Sequence, residues 1–274
     1  VKNPKFTFVE QDITNSKFKI QNSKFDYIFH LASPASPNKN SPRSYINHPI
    51  ETLLANSLGT YNLLGIAQKA NAAFLYASSS EVYGDPAVSP QDESYFGNVN
   101  PNGPRSVYDE GKRFGEALTM AFVRKYNLDA RIVRIFNTYG PKMQRDDGRV
   151  VSNLITQALA NKPMTIYGDG KQTRSFCYIS DMIDGMKKAM FAKQSSGEVI
   201  NLGNPDEQTI VELAELVKRL TKSTSKFVFS QLPEDDPSRR KPDISKAKRL
   251  LAWQPKVSIE QGLAKTIQYF KELS

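Results

Sequence analysis

Apolar and polar positions divide the first half of the chain into alternating strands and helices. Lys5–Asp12 alternates through Phe6 and Phe8 and then turns polar, and Phe25–Leu31 is a short apolar run ending at Ala32-Ser33-Pro34; both predict strands. From Ile50 to Ala70 apolar residues recur at helical spacing through Leu53, Leu54, Leu58, Leu63, Leu64 and Ala67, and Ala73–Ser78 then predicts another strand. The alternation continues with a helix from about Val107 to Tyr126, a strand over Ala130–Phe136 and a helix over Val150–Asn161. Helices between successive strands imply crossovers, hence a parallel sheet of a doubly wound α/β fold whose ligand edge is formed by polar loops at the strand ends.

After Gly140-Pro141 the chain changes to short strands, turns such as Gly168-Asp169-Gly170, a charged loop from Pro233 to Pro242 and a last helix from Ile259. The reading is a dinucleotide-type domain over residues 1–140 and a smaller, mainly substrate-binding domain over 141–274, with a segment near 176–200 returning to the first.

Composition narrows the choice. No apolar run approaches the roughly 18 residues of a membrane span, and 39% hydrophobic with 24% charged residues is ordinary for a soluble globular chain. Lys and Arg number 37 against 28 Asp and Glu, a net charge of +9, but they are dispersed, which favours a small phosphorylated ligand over nucleic acid. The lone cysteine, Cys177, sits between Phe176 and Tyr178 and reads as a core residue in a reducing compartment; with only His30 and His48 there is no metal-ligand spacing. Cytoplasm is the default location, and a secretory-pathway lumen stays open.

Two motifs carry chemistry. Tyr108-Asp-Glu-Gly-Lys112 puts a phenol and an ammonium one helical turn apart. A phenol ionises near pH ~10, so acting as a base near neutrality requires roughly 4 kcal/mol of phenolate stabilisation, which an ammonium helps to supply. In a Lys-rich chain with 12 Tyr, about one such pair arises by chance, and the bland reading is a solvated helix face. The second motif, Ala77-Ser-Ser-Ser-Glu81-Val-Tyr-Gly84, follows a strand at the ligand edge: Ser79 offers a hydroxyl to a reacting oxygen and Glu81 a carboxylate, although a serine run before glycine is more often only a turn.

Further segments make a pattern with these. His30-Leu-Ala-Ser-Pro-Ala-Ser-Pro37, Arg134-Ile-Phe-Asn-Thr-Tyr-Gly-Pro141, Asp147-Gly-Arg-Val-Val-Ser-Asn153, Gly168-Asp-Gly-Lys-Gln-Thr-Arg-Ser-Phe176, Asn201-Leu-Gly-Asn-Pro205 and Arg240-Lys-Pro-Asp-Ile244 occur in order with them, and together they resemble the UDP-glucuronate decarboxylases (UDP-xylose synthases) of the extended short-chain dehydrogenase type, from about Asp12 to the C-terminus. The resemblance implies an internal redox cycle: NAD⁺ oxidises C4 of the glucuronate, the β-keto acid loses CO₂, and the same NADH reduces the 4-ketopentose. It implies Tyr108 as acid/base, Lys112 as its tuning partner and nicotinamide-ribose ligand, Ser79 as orienter of the C4 oxygen, and Glu81 in ring positioning and proton delivery. It further implies Asp12 and Ile13 beside the adenine, Leu31 and Ser33 along the cofactor's phosphates and ribose, and Ala77 and Thr138 as further cofactor contacts. For the UDP-sugar it implies Asn62, Gly65, Asn137, Arg149, Arg174 and Arg240. Pairing of two long helices into a homodimer is also implied; the sequence itself shows only that they are amphipathic.

The chain departs from the pattern at its front. A dinucleotide fold opens with a strand and a glycine-rich turn whose amides hold the pyrophosphate, whereas the first glycine here is Gly59. We expect roughly 50 residues, about one and a half strand–helix steps, to be absent ahead of Val1, and expect weak NAD binding by the chain alone. Asn38–His48 is also about five residues longer than the family's usual link. Rival readings are a nucleotide-sugar 4,6-dehydratase, which would place Asp where Ser80 precedes Glu81, a 4-epimerase, and a non-catalytic protein that binds nucleotide-sugar only.

Overall fold

The computed structural model describes residues 3–15, 24–232, 237 and 239–273. In chain order the elements are β1 (Tyr27–His30), α1 (Pro49–Leu54), α2 (Thr60–Ala70), β2 (Ala73–Ser79), α3 (Ser106–Tyr126), β3 (Ala130–Ile135), β4 (Thr138–Tyr139), α4 (Val150–Leu159), β5 (Met164–Tyr167), β6 (Thr173–Ser175), β7 (Cys177–Tyr178), α5 (Ile179–Phe191), β8 (Val199–Leu202), β9 (Glu207–Thr209), α6 (Ile210–Thr221), β10 (Phe227–Ser230), β11 (Arg239–Arg240), α7 (Ser245–Leu251) and α8 (Ile259–Glu272). A π-helical turn, Ala55–Gly59, joins α1 to α2 as one long rod.

β1, β2, β3 and β8 form a parallel sheet in that order, with Tyr27 opposite Ala73, Phe74 opposite Ala130 and Ile132 opposite Val199. All seven residues of β2 are buried because both faces of the sheet are covered. Alternation sends Phe74 and Tyr76 to the face under α2 and α3, with Leu64, Phe122 and Ile132, and Leu75 to the opposite face with Val133, Met182, Ile200 and Trp253. α5 and β8 thus belong to the same layered body as β1 to β3.

Close approach of α3 to the sheet depends on a missing side chain: a Cβ at Gly115 would lie 2.2 Å from the Tyr76 hydroxyl oxygen. A second core gathers around α4, α6 and α8, with Leu154, Ile155, Met164, Leu213, Val217, Ile267 and Phe270 all buried. α6 and α8 each open on a capping box, Thr209 with Glu212 and Ser258 with Gln261, which satisfies two N–H groups at the start of each helix.

One expected strand is not formed. Residues 5–12 pair with no strand among the described residues, and Phe6, Phe8 and Val9 are exposed. Their alternation has no neighbouring edge on which to act, and alternation becomes a strand only against a partner. No described helix is long and apolar enough to cross a membrane.

Candidate functional site

The carboxyl ends of β1, β2 and β3 open into a cleft of about 1210 Å³ that runs from the sheet edge to the second core. Tyr108 enters from the first turn of α3, and Lys112 follows one turn later. The Lys112 ammonium donates to the Ala77 carbonyl at 2.9 Å and lies 5.6 Å from the centre of the Tyr108 ring and 5.3 Å from that of Tyr76. Burial lowers its pKa to about 7, against the pull of Glu116. Burial also raises the Tyr108 phenol, while the charge of Arg149 and a hydrogen bond with Ser79 act to lower it.

The network behind the pair holds it in place. Glu116, one turn beyond Lys112, is gripped by Arg134 at 2.8 Å and 2.9 Å and accepts from Ser78 at 2.6 Å. His30 meets Thr60 at 2.9 Å and is neutral, because burial and the Lys112 charge lower its pKa to about 3. It therefore adds no second cation beneath the site.

Glu81 is not a free carboxylate. Its Oε2 accepts from Arg105 at 2.6 Å and its Oε1 pairs with Arg240. Burial alone would raise its pKa, but the two guanidiniums outweigh that and hold the carboxyl well below the usual range. Between the two guanidiniums Glu81 is held ionised. Asp109, buried in the same group, has an Oδ1 with no hydrogen-bond partner among the described residues.

Of the residues singled out from sequence, Leu31, Ser33, Ala77, Ser79, Glu81, Tyr108, Lys112, Asn137, Thr138, Arg149, Arg174 and Arg240 all line this cleft. Asp12, Ile13, Asn62 and Gly65 do not. Asp12 caps its own turn, accepting from the Thr14 amide at 2.8 Å, and the Asn62 amide donates to the Ile13 carbonyl at 2.8 Å. Ile13 is packed onto the π-turn, where a Cβ on Gly59 would lie 2.7 Å from Ile13 Cδ1. Ile13 and Asn62 thus tie the front segment to the α1–α2 rod. The charged loop from Pro233 lies partly outside the described residues.

The structure adds Arg105, Asp109 and Tyr45. Tyr45 is buried and stacks on Tyr108, with ring centres 5.2 Å apart at 22°. It belongs to the longer link 38–48, whose base is held by Ser36 and Asn38 donating to the carbonyls of Asp147 and Asp146. Only the sequence adjacency of Asp109 and Arg105 to Tyr108 hinted at their importance. Cys177 is buried and its thiol is pushed up to about 12 by that burial, in keeping with a core residue.

The cleft fits the nicotinamide-ribose end of a dinucleotide. An ammonium has three N–H donors, and among the described residues Lys112 uses one on protein, leaving two in a buried place suited to ribose hydroxyls.

Residues 1–266 match the family model described as GDP-mannose 4,6 dehydratase. The chain belongs to this family. Within it, UDP-glucuronic acid decarboxylase 1 of Danio rerio is 52% identical over 245 residues, which is 89% of this chain and 57% of that protein. UDP-glucuronic acid decarboxylase 6 of Arabidopsis thaliana is 50% identical over 260 residues, 95% of this chain and 73% of that protein. The chain spans 57–58% of the length of the first relatives it matches. Among solved structures, UDP-glucuronic acid 4-epimerase from Bacillus cereus, in complex with UDP-glucuronic acid and NAD, superposes with a TM-score of 0.87 at 29% identity, covering 100% of this chain and 84% of that one. The Rossmann-type fold expected from the strand–helix alternation is thereby established for the family member in hand.

Proposed function

We propose that this chain carries out NAD-dependent decarboxylation of UDP-glucuronate to UDP-xylose through a 4-keto intermediate. The observation that carries this reading is the buried Lys112 ammonium against the Tyr108 ring, with Ser79 beside the phenol, in a cleft whose other walls carry arginines. The names of the relatives that match at about half identity support it, as does the UDP-glucuronic acid bound to the Bacillus cereus neighbour.

A dinucleotide held at Lys112 would supply the acceptor, and later the donor, of the C4 hydride. Tyr108 removes the proton from the C4 hydroxyl as a general base, Ser79 orients that oxygen, and Lys112 stabilises the phenolate. The C4 carbonyl lies β to the carboxylate on C5, so it accepts the electron pair released when the carbon–carbon bond to CO₂ breaks, and C5 of the resulting enolate then takes a proton from water to give the 4-ketopentose. Tyr108 returns the proton to the C4 oxygen when the ketone is reduced. Arg149, Arg174 and Arg240 meet the negative charge of the nucleotide-sugar, and Glu81 acts as an ionised carboxylate that positions the arginines and the ring.

The second reading is 4-epimerisation of the same substrate, favoured by the fold shared with the Bacillus cereus enzyme. Product analysis with UDP-glucuronate separates them: xylose signals support decarboxylation, and galacturonate signals support epimerisation.

For the assembly we infer a homodimer formed through the outer faces of the α1–α2 rod and α3, where Ile50, Leu54, Leu58, Tyr61 and Phe114 are exposed. A reducing, cytoplasmic compartment is supported by the single buried cysteine, and cell fractionation tests it.

A further inference from the structure

Two arginines are ion-paired with one carboxylate beside Tyr108, and the Asp109 carboxyl is buried near them. Glu81 stands between Arg105 and Arg240, with its Oε2 2.6 Å from Arg105. Arg240 is 3% exposed and its Nε is buried with no partner among the described residues. Asp109 is 6% exposed and its Oδ1 likewise lacks a partner. Glu81, Arg105 and Arg240 line the cleft, while Asp109 does not.

The charge of this group depends on one proton. With Asp109 neutral, two guanidiniums face one carboxylate and the group carries one uncompensated positive charge. With Asp109 ionised the charges cancel. The groups that face Asp109 are Glu81 from the turn after β2, Arg240 from β11, Tyr45 from the 38–48 link, and Arg105, Tyr108 and Glu110 from its own helix and cap. Burial and the Glu81 charge hold the Asp109 carboxyl well above the usual range, against the two arginines.

We propose that Asp109 is a positioning residue that sets the charge of the Glu81–Arg105–Arg240 group, and through it the grip of the cleft on the carboxylate of a uronate sugar. Protonated, it leaves an arginine charge for that carboxylate; ionised, it takes the charge for itself. Binding of the uronate is therefore coupled to proton uptake at a residue that touches no substrate atom. This rests on the nucleotide-uronate reading of the site.

The test is calorimetric binding to the chain without added NAD, where the uronate cannot turn over, from pH 6.5 to 9.5, with UDP-glucuronate and with UDP-glucose, which lacks the carboxylate. We expect the affinity of the native chain for UDP-glucuronate to fall on the order of tenfold as Asp109 ionises, with net proton uptake on binding in buffers of different ionisation enthalpy. The affinity for UDP-glucose stays level. Asp109→Asn, which is fixed in the neutral state, keeps the tighter uronate binding at pH 9.5 and loses the proton uptake. An unchanged pH profile in Asp109→Asn, the same fall with UDP-glucose, or binding by the native chain without proton uptake overturns the proposal alone. Failure of both nucleotide sugars to bind at any pH overturns the functional reading and this proposal together. The proton-uptake measurement uses the native chain and does not depend on folding of the variant.

Discussion

The ammonium of Lys112 lies between two tyrosine rings and a carbonyl, and burial brings its pKa from 10.5 to about 7. The folded value lies below the unfolded one, so the cost is fully present below pH 7 and disappears as pH rises towards 10.5, where the unfolded chain also loses its proton. Lys112→Met should therefore raise stability by about 1–3 kcal/mol at pH 7, with the gain shrinking towards pH 10, while turnover collapses; urea unfolding at the two pH values checks it. An equal loss of stability and activity would mean that Lys112 is structural. Tyr108→Phe should lower kcat by about 10²–10⁴-fold with nucleotide-sugar affinity nearly kept, read from steady-state rates and calorimetry. The sequence brought Tyr108 and Lys112 forward by their one-turn spacing, and Ser79 by its place in the serine run that ends a strand. It did not disclose that Glu81 is shared by Arg105 and Arg240, since those partners are separated from it by 24 and 159 positions and no periodicity links them.

At the scale of elements, helical spacing located the α1–α2 rod, α3, α4 and α8 to within a few residues because each buries one apolar stripe. The Lys5–Asp12 segment failed because its alternation has no strand edge to join. The π-turn at Ala55–Gly59 was equally hidden, for its apolar pattern is that of an ordinary helix. α3 carries the phenol and the ammonium, so its seat on β2 fixes the site. Gly115→Ala would push a methyl into the Tyr76 hydroxyl, 2.2 Å from the ideal Cβ position, and should cost about 1–3 kcal/mol and displace Tyr108 as well. Thermal unfolding together with kcat checks this; an unchanged melting temperature would show that α3 shifts freely. Ser258→Ala, which removes one capping box far from the cleft, should cost about 1 kcal/mol without changing kcat.

On the scale of the whole molecule, apolar clusters on both faces of the sheet and around α4, α6 and α8 support the cleft, and the apolar outer faces of the α1–α2 rod and α3 await a second copy in the proposed dimer. Tyr61→Glu combined with Phe114→Glu should shift the chain to the monomer in sedimentation, whereas an unaltered mass would place the interface elsewhere. The layered α/β body and its ligand edge were legible in the alternation of strands and helices. The return of the chain to this body near residues 176–200 was legible in outline, but the pairing of β8 with β3 and the meeting of β11 with the turn after β2 were not, because each joins segments more than 60 positions apart. The proposed reaction is tested by NMR of UDP-glucuronate incubated with the chain and NAD⁺. Decarboxylation gives loss of the C6 carboxylate carbon as CO₂ and the appearance of UDP-xylose without net NADH. A UDP-sugar product that keeps all six carbons, such as UDP-galacturonate, would contradict it.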